Sequence, residues 1–199
     1  MAGNEPWVVV TRSTSGIGWA LALQFAKRRL NLVLHGRNED QLKGKRKTVQ
    51  DLYPKVEAKL LVTDLDKCAV QGFFEGIKNE LQGLDIAVLV NNAAVVGTIL
   101  GNDNPELNHQ CVLVNCMAQS MMTHYFINEL NSRKARSAVV DVSSMASMAP
   151  TGVYLVYSAS KGFHRFLTLG AAVSGRFSNI DWLSLTPSRV DTPHAARRY

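Results

Sequence analysis

The chain is poor in the residues that make disulfide scaffolds, metal clusters or membrane anchors. Cysteine occurs three times, as Cys68, Cys111 and Cys116, an odd number without metal-ligand spacing. That argues against a disulfide framework and reads as buried thiols in a reducing, cytoplasmic compartment. His35, His109, His124, His164 and His194 also lack paired metal-ligand spacing, so no metal is expected. No apolar run reaches the ~18 residues of a membrane helix. Met1-Ala2-Gly3-Asn4-Glu5-Pro6 leads straight into a strand-like run, which leaves no room for a signal peptide. Ala2 occupies the place where N-myristoylation needs glycine. No repeat, low-complexity tract or linker interrupts the chain, so residues 1–199 read as one domain.

What is present is ordinary in bulk: 46% hydrophobic and 19% charged residues, with a formal net charge of +6. The positive charge is scattered except at Lys43 to Lys47 and at Arg197-Arg198. A nucleic-acid patch is one reading of such runs. A solvated helix face is the ordinary one and is preferred, so no nucleic-acid partner is expected. The same charge would also attract a polyanionic cofactor.

Short apolar runs alternate with helical patterns. Strands are expected at Trp7–Val10, Leu30–His35, Val56–Thr63, Asp85–Val90, Ala138–Val142 and Ile180–Leu185. Helices are expected at Gly16–Arg29, Glu39–Tyr53, Lys67–Leu81, Asn108–Asn131 and Tyr157–Gly175. Apolar strands alternating with helices imply a doubly wound α/β domain: a parallel sheet of six or more strands with helices on both faces. Ligands of such sheets bind beyond the carboxyl ends of the strands.

Two clusters carry chemistry. Thr11-Arg12-Ser13-Thr14-Ser15-Gly16-Ile17-Gly18 joins the first strand to the first helix, where glycines let backbone N–H groups approach a pyrophosphate. The second strand ends in Gly36-Arg37-Asn38 rather than in a carboxylate. The Arg37 guanidinium suits a 2′-phosphate, with no carboxylate opposing it and with Asn38 assisting, which favours NADP(H) over NAD(H). The other cluster is Tyr157 and Lys161, one helical turn apart, with Ser144 thirteen residues before the tyrosine. An ammonium beside a phenol favours the phenolate. A hydroxyl opposite could hold a substrate oxygen, which suits carbonyl and alcohol chemistry.

With these motifs the chain resembles the short-chain dehydrogenase/reductase family over essentially its whole length. Thr11 to Gly18 resembles the family's glycine turn, and Asp64-Leu65 its acidic-apolar pair against the adenine. Asn91-Asn92-Ala93-Ala94 follows the fourth strand as in the family, and Asn115 falls at the catalytic asparagine. Pro187, Val190 and Thr192 match the segment beside the nicotinamide. Val142 to Pro150 and Tyr157 to Phe163 are similar to the 3-oxoacyl-CoA reductase and 17β-hydroxysteroid dehydrogenase branch. The resemblance implies a small carbonyl or alcohol substrate. It assigns Tyr157 as general acid/base, Lys161 to the nicotinamide ribose and to lowering the tyrosine's pKa, Ser144 to the substrate oxygen, and Asn115 to a water in a proton relay. It also implies a homodimer or homotetramer formed by the helices near Asn108 and Tyr157.

Three family glycines are replaced, by Arg12, Ala94 and Ser188. Arg12 could obstruct the adenosine end of the cofactor, or fold outward and add a contact to the 2′-phosphate. Family members usually continue for some tens of residues into a substrate lid, whereas this sequence stops at Tyr199. A non-catalytic nucleotide- or partner-binding protein on the same fold is therefore the alternative expectation.

Overall fold

The computed structural model describes residues 5–101 and 104–192. The first four residues, His194, Arg197-Arg198 and the end at Tyr199 lie outside the described residues. Strands β1 (Trp7–Val10), β2 (Asn31–Gly36), β3 (Ala58–Val62), β4 (Ile86–Asn91), β5 (Ser137–Val142) and β6 (Ile180–Leu185) form one sheet in the order β3-β2-β1-β4-β5-β6. Every neighbouring pair is parallel. This is the doubly wound fold expected, with all six strands in place.

The strands are apolar throughout because their alternate residues feed two cores. Val9, Val33, Leu89 and Val139 face one side, where α3 (Phe73–Glu80) and α5 (Gln119–Ser132) bury Phe74, Ile77, Met122, Phe126 and Leu130. Val8, Val10, Leu32, Leu34 and Val140 face the other, against Ala22 and Ala26 of α1 (Gly16–Lys27) and Leu42 and Val49 of α2 (Glu39–Leu52). Helix α4 (Pro105–Val112) and helix α6 (Leu155–Val173) pack on each other on the α5 side.

Two expected helices differ in the structure. In place of one helix over Lys67–Leu81, a 3-10 turn at Leu65–Lys67 is followed by irregular chain, and α3 starts only at Phe73. Gly72 at φ 80 is left-handed, which α-helix does not admit, and the Asp64 carboxylate caps the earlier turn. The helix expected at Asn108–Asn131 is broken by a π segment, Leu113–Ala118, between α4 and α5. The bulge centres on Asn115, whose side chain bonds outside its own helix, a recurrent reason for π geometry. Of the three cysteines, Cys68 and Cys111 are buried as expected, whereas Cys116, within the π segment, is only half-buried. On the same stretch Met122 is core and Met117 is exposed.

The strand order reverses between β1 and β4, which opens a crevice at their carboxyl ends. The two ends are clasped. The Thr11 hydroxyl donates to the Val90 carbonyl (3.2 Å) and accepts from the N–H groups of Asn92 (2.8 Å) and Ala93 (2.9 Å). The Asn92 amide donates back to the Thr11 carbonyl at 2.9 Å and to the Arg12 carbonyl at 3.2 Å. Helix α1 begins directly on this clasp. A Cβ at Gly18 would stand 2.4 Å from Asn92 Nδ2 and 2.6 Å from the Arg12 carbonyl oxygen. Gly18→Ala should therefore cost about 1–3 kcal/mol of stability, as overpacking does. Urea unfolding checks this, and an unchanged midpoint would show that α1 can shift without cost.

Candidate active site

A cleft of about 860 Å³ opens beyond the clasp. Its floor includes Ala93, Ala94 and Val95 after β4. Arg12, Thr14 and Ser15 line it after β1, and Gly36, Arg37, Asp64 and Leu65 line its outer end. The side chain of Ser15, which precedes α1, makes no capping bond, so that helix presents its first N–H groups to the cleft. A Cβ added at Gly16 would stand 3.4 Å from Thr192 Cγ2, in the last described segment.

Arg12 has φ 51, the left-handed region that its family glycine adopts without strain. For a residue with a Cβ this costs roughly 1–2 kcal/mol. Its backbone is held from both sides. The N–H donates to His35 Nδ1 at 3.0 Å, and the carbonyl accepts from Asn92. Since Nδ1 accepts, the His35 proton sits on Nε2, 3.2 Å from the Thr63 carbonyl. The Arg12 guanidinium turns inward and donates to the Ala94 carbonyl, across the cleft from β1 to β4. This bond turns the guanidinium into the cleft.

Arg37 requires a correction. It is not unopposed: its guanidinium lies 3.9 Å from Asp64 and 3.6 Å from Asp66, and its side chain is 69% exposed. The 3-10 turn after β3 carries both carboxylates to the end of β2, a meeting that strand pairing creates. Asn38 caps α2, its side chain accepting from the Gln41 N–H at 2.9 Å. Lys43 pairs with Glu39 on the outer face of α2, consistent with a solvated helix face. Lys45 and Gln41 on α2 line the cleft, a contribution not expected from the sequence.

The chain leaving β4 is stitched to the α4–α5 unit. Gln119 donates to the Ala93 carbonyl. Asn115 accepts from the Val95 N–H (2.8 Å) and donates to the Val95 carbonyl (2.9 Å), to Ser160 Oγ (2.9 Å) and to Cys111 Sγ (3.3 Å). The Asn115 side chain is thus spent on positioning β4's exit against α6. Asn91 likewise lies in the sheet, where its amide donates to Asp141 at 2.7 Å and to Thr123 at 2.9 Å.

Helix α6 carries Tyr157 and Lys161. Lys161 is 1% exposed; its ammonium donates to the Val142 carbonyl at 2.6 Å and lies 5.8 Å from the centre of the Tyr157 ring. Burial lowers its pKa to about 8, and the Arg12 guanidinium adds to the lowering. The buried Ser143 hydroxyl donates to the Lys161 carbonyl at 2.8 Å and is committed there. The Ser144 hydroxyl accepts from the Ala146 N–H at 3.1 Å, which leaves its own proton to donate. Pro187 holds the loop after β5 through the Met145 N–H at 3.0 Å.

Ser144 caps the short turn Met145–Ser147 after β5, Tyr157 and Lys161 lie in the first turns of α6, which packs on that turn, and none of the three lines the cleft itself. Arg12, Ser15, Arg37, Asn38, Asp64, Leu65 and Ala93 line the cleft. Thr11 and Ser13 turn inward, Ser13 bonding the His35 carbonyl, and Ile17 packs with the core under α1. Val190 is exposed.

A family model for short chain dehydrogenases matches residues 6–199. The chain belongs to the short-chain dehydrogenase family. It is 34% identical over 200 residues to the Homo sapiens protein "Inactive hydroxysteroid dehydrogenase-like protein 1", a match covering 96% of this chain and 57% of the relative. It is 30% identical over 195 residues to the very-long-chain 3-oxoacyl-CoA reductase of Anas platyrhynchos, covering 96% of this chain and 61% of that protein. The chain thus spans about three fifths of the length of these curated relatives. Among solved structures it is similar to a short-chain dehydrogenase from Sphingobium yanoikuyae in complex with NADPH, with a TM-score of 0.85, 25% identity, and coverage of 94% of this chain and 72% of that one. Both the family and the branch named from the motifs are therefore met. No described helix is long and apolar enough to cross a membrane, and the described residues hold no His/Cys/Asp/Glu group suited to a metal ion.

Burial lowers the pKa of His35 to about 4 and that of His164 to about 3. Unfolded, both rings titrate near ~6.5. Below that pH the unfolded chain takes up protons that the folded chain refuses. Stability is therefore complete above about 6.5 and falls with pH until each ring titrates in the fold. Each ring contributes a slope of up to about 1.4 kcal/mol per pH unit. Urea unfolding between pH ~7 and ~5 should show this loss, and His164→Leu should remove about half of the slope. A flat profile would contradict it.

Proposed function

We propose that the chain carries an NADP(H)-dependent oxidoreductase that interconverts a small carbonyl compound and its secondary alcohol. The observation that carries this reading is the pairing on α6 of Tyr157 with a wholly buried Lys161, beside Ser144 and at the carboxyl edge of the sheet. The cleft fits a dinucleotide. The glycine turn and the start of α1 suit the pyrophosphate, Leu65 and Asp64 the adenine end, and Arg37, Asn38 and Lys45 the added phosphate.

When bound, the nicotinamide supplies the hydride chemistry. The chain does the rest. Tyr157 donates a proton to the carbonyl oxygen in reduction, or accepts one from the alcohol in oxidation. Ser144 holds that oxygen with its free hydroxyl proton. Lys161, held by the Val142 carbonyl, presents its charge to the tyrosine and to the ribose hydroxyls. Asn115 sets the distance between the β4 exit and α6. The outer face of α6, where Phe166 is 74% and Val173 84% exposed, would join a second copy in a homodimer or homotetramer.

Arg12 favours a second reading, a non-catalytic nucleotide- or partner-binding protein. Its guanidinium bridges the cleft to Ala94, and the human relative is named as inactive. Titrating NADPH and NADH into the parent and Arg12→Gly, with NADPH absorbance followed over a carbonyl panel, separates the two. NADPH should bind more tightly than NADH, and Arg12→Gly should bind both roughly tenfold more tightly, about 1.4 kcal/mol. Tyr157→Phe should lower turnover at least about 100-fold with binding retained. Equal affinity for the two cofactors would refute the role of Arg37. Binding without turnover by either protein would establish the second reading.

A further inference from the structure

The inner face of α6 is unusual for a buried helix face. It presents Ser160, Lys161, His164 and Thr168 rather than an apolar stripe. Opposite them stand Asn91 on β4 and Asp141 on β5. Among the described residues, Lys161 is the one buried lysine or arginine and Asp141, 2% exposed, the one buried carboxylate. Both lie on the same side of the sheet. Thr168, two turns beyond Lys161 on that face, donates to one Asp141 oxygen, and Asn91 donates to the other at 2.7 Å. Both bonds run toward the carboxylate, which is the pattern that favours its charged form.

We propose that Asp141 is the buried counter-charge of Lys161, a positioning residue that keeps the ammonium charged beside Tyr157. An isolated ammonium in this interior would shed its proton, and an isolated carboxylate would acquire one. The two form no direct ion pair; each acts on the other within the buried polar face between α6 and the sheet, where water screens little. Burial indeed pushes the Asp141 carboxyl up, while Thr168, Asn91 and Lys161 hold it down. The other groups facing Lys161 are His164 on its own helix, Cys111 on α4, Cys116 in the π segment, and Arg12 beyond β1. His164 is kept neutral by its burial. Among the described residues the Asn115 backbone carbonyl is the one polar group that the ring approaches, and no well-formed hydrogen bond satisfies either nitrogen. It therefore separates Lys161 from Thr168 without adding charge. Arg12 is the opposing cation, so Asp141 and Arg12 act on the lysine in opposite directions.

The catalytic consequence rests on the function proposed above, but the electrostatic statement is tested on the cofactor-free protein. Lysine labelled with 13C at Cε reports the Lys161 titration by NMR, with Lys161→Met for assignment. In the parent, Lys161 should titrate near 8. Asp141→Asn should lower that value by at least about one unit, Asp141→Glu should restore part of it, and Arg12→Gly should raise it. The coupling is reciprocal, so in Lys161→Met the Asp141 carboxyl, read by its own 13C shift, should titrate higher by a similar amount. That reading keeps the test alive if Asp141→Asn does not fold. A Lys161 titration within about 0.3 units of the parent in Asp141→Asn, or an Asp141 titration unmoved in Lys161→Met, would overturn the proposal.

Discussion

The clasp between the ends of β1 and β4 is the constraint on which the rest of the site depends. One threonine hydroxyl, Thr11, serves three backbone groups, and one amide, Asn92, ties two carbonyls. This closes the sheet where its order reverses and where ladder bonding alone would leave polar groups unpaired. The clasp sets the start of α1 close enough that only glycine fits at position 18. It also holds the Arg12 carbonyl, so the left-handed backbone at that residue persists despite its strain. Everything on the cleft floor takes its place from this junction.

The second organising fact is a charge kept out of water. Lys161 has a carbonyl, an aromatic ring and a distant carboxylate for company. Burying a charge costs several kcal/mol unless such partners offset it. The polar side chains on the inner face of α6 are therefore not packing defects, because they make an interior in which a lysine can remain useful to a neighbouring phenol. Arg12 enters the same field from the cleft side, and so the glycine-turn segment is electrically coupled to Lys161.

Much of this was legible along the chain. Six apolar runs became six strands because a sheet covered on both faces needs no polar alternation. Tyr157 and Lys161 stand together because helix periodicity puts them one turn apart, and Ser144 precedes a turn that packs on the same helix. Arg37 was misread, since its opposing carboxylates lie on the neighbouring strand's exit and a one-dimensional reading around residue 37 does not contain them. The helix expected from Lys67 failed at Gly72, whose left-handed backbone was visible only as a residue type. Asp141 passed unnoticed inside Val139-Val140-Asp141-Val142, although a lone carboxylate in an apolar strand is itself a signal.

The amino-acid sequence by itself determined the strand and helix order, the fold class, and the pairing of Tyr157 with Lys161 one helical turn apart, because these follow from local periodicity and spacing. Only the tertiary structure decided where charges stand relative to one another. Arg12 reaches Ala94, Arg37 meets Asp64 and Asp66, and Lys161 shares its interior with Asp141. Electrostatic energy depends on distance and on the exclusion of water, and both are set when strands distant in sequence pair and bury their faces.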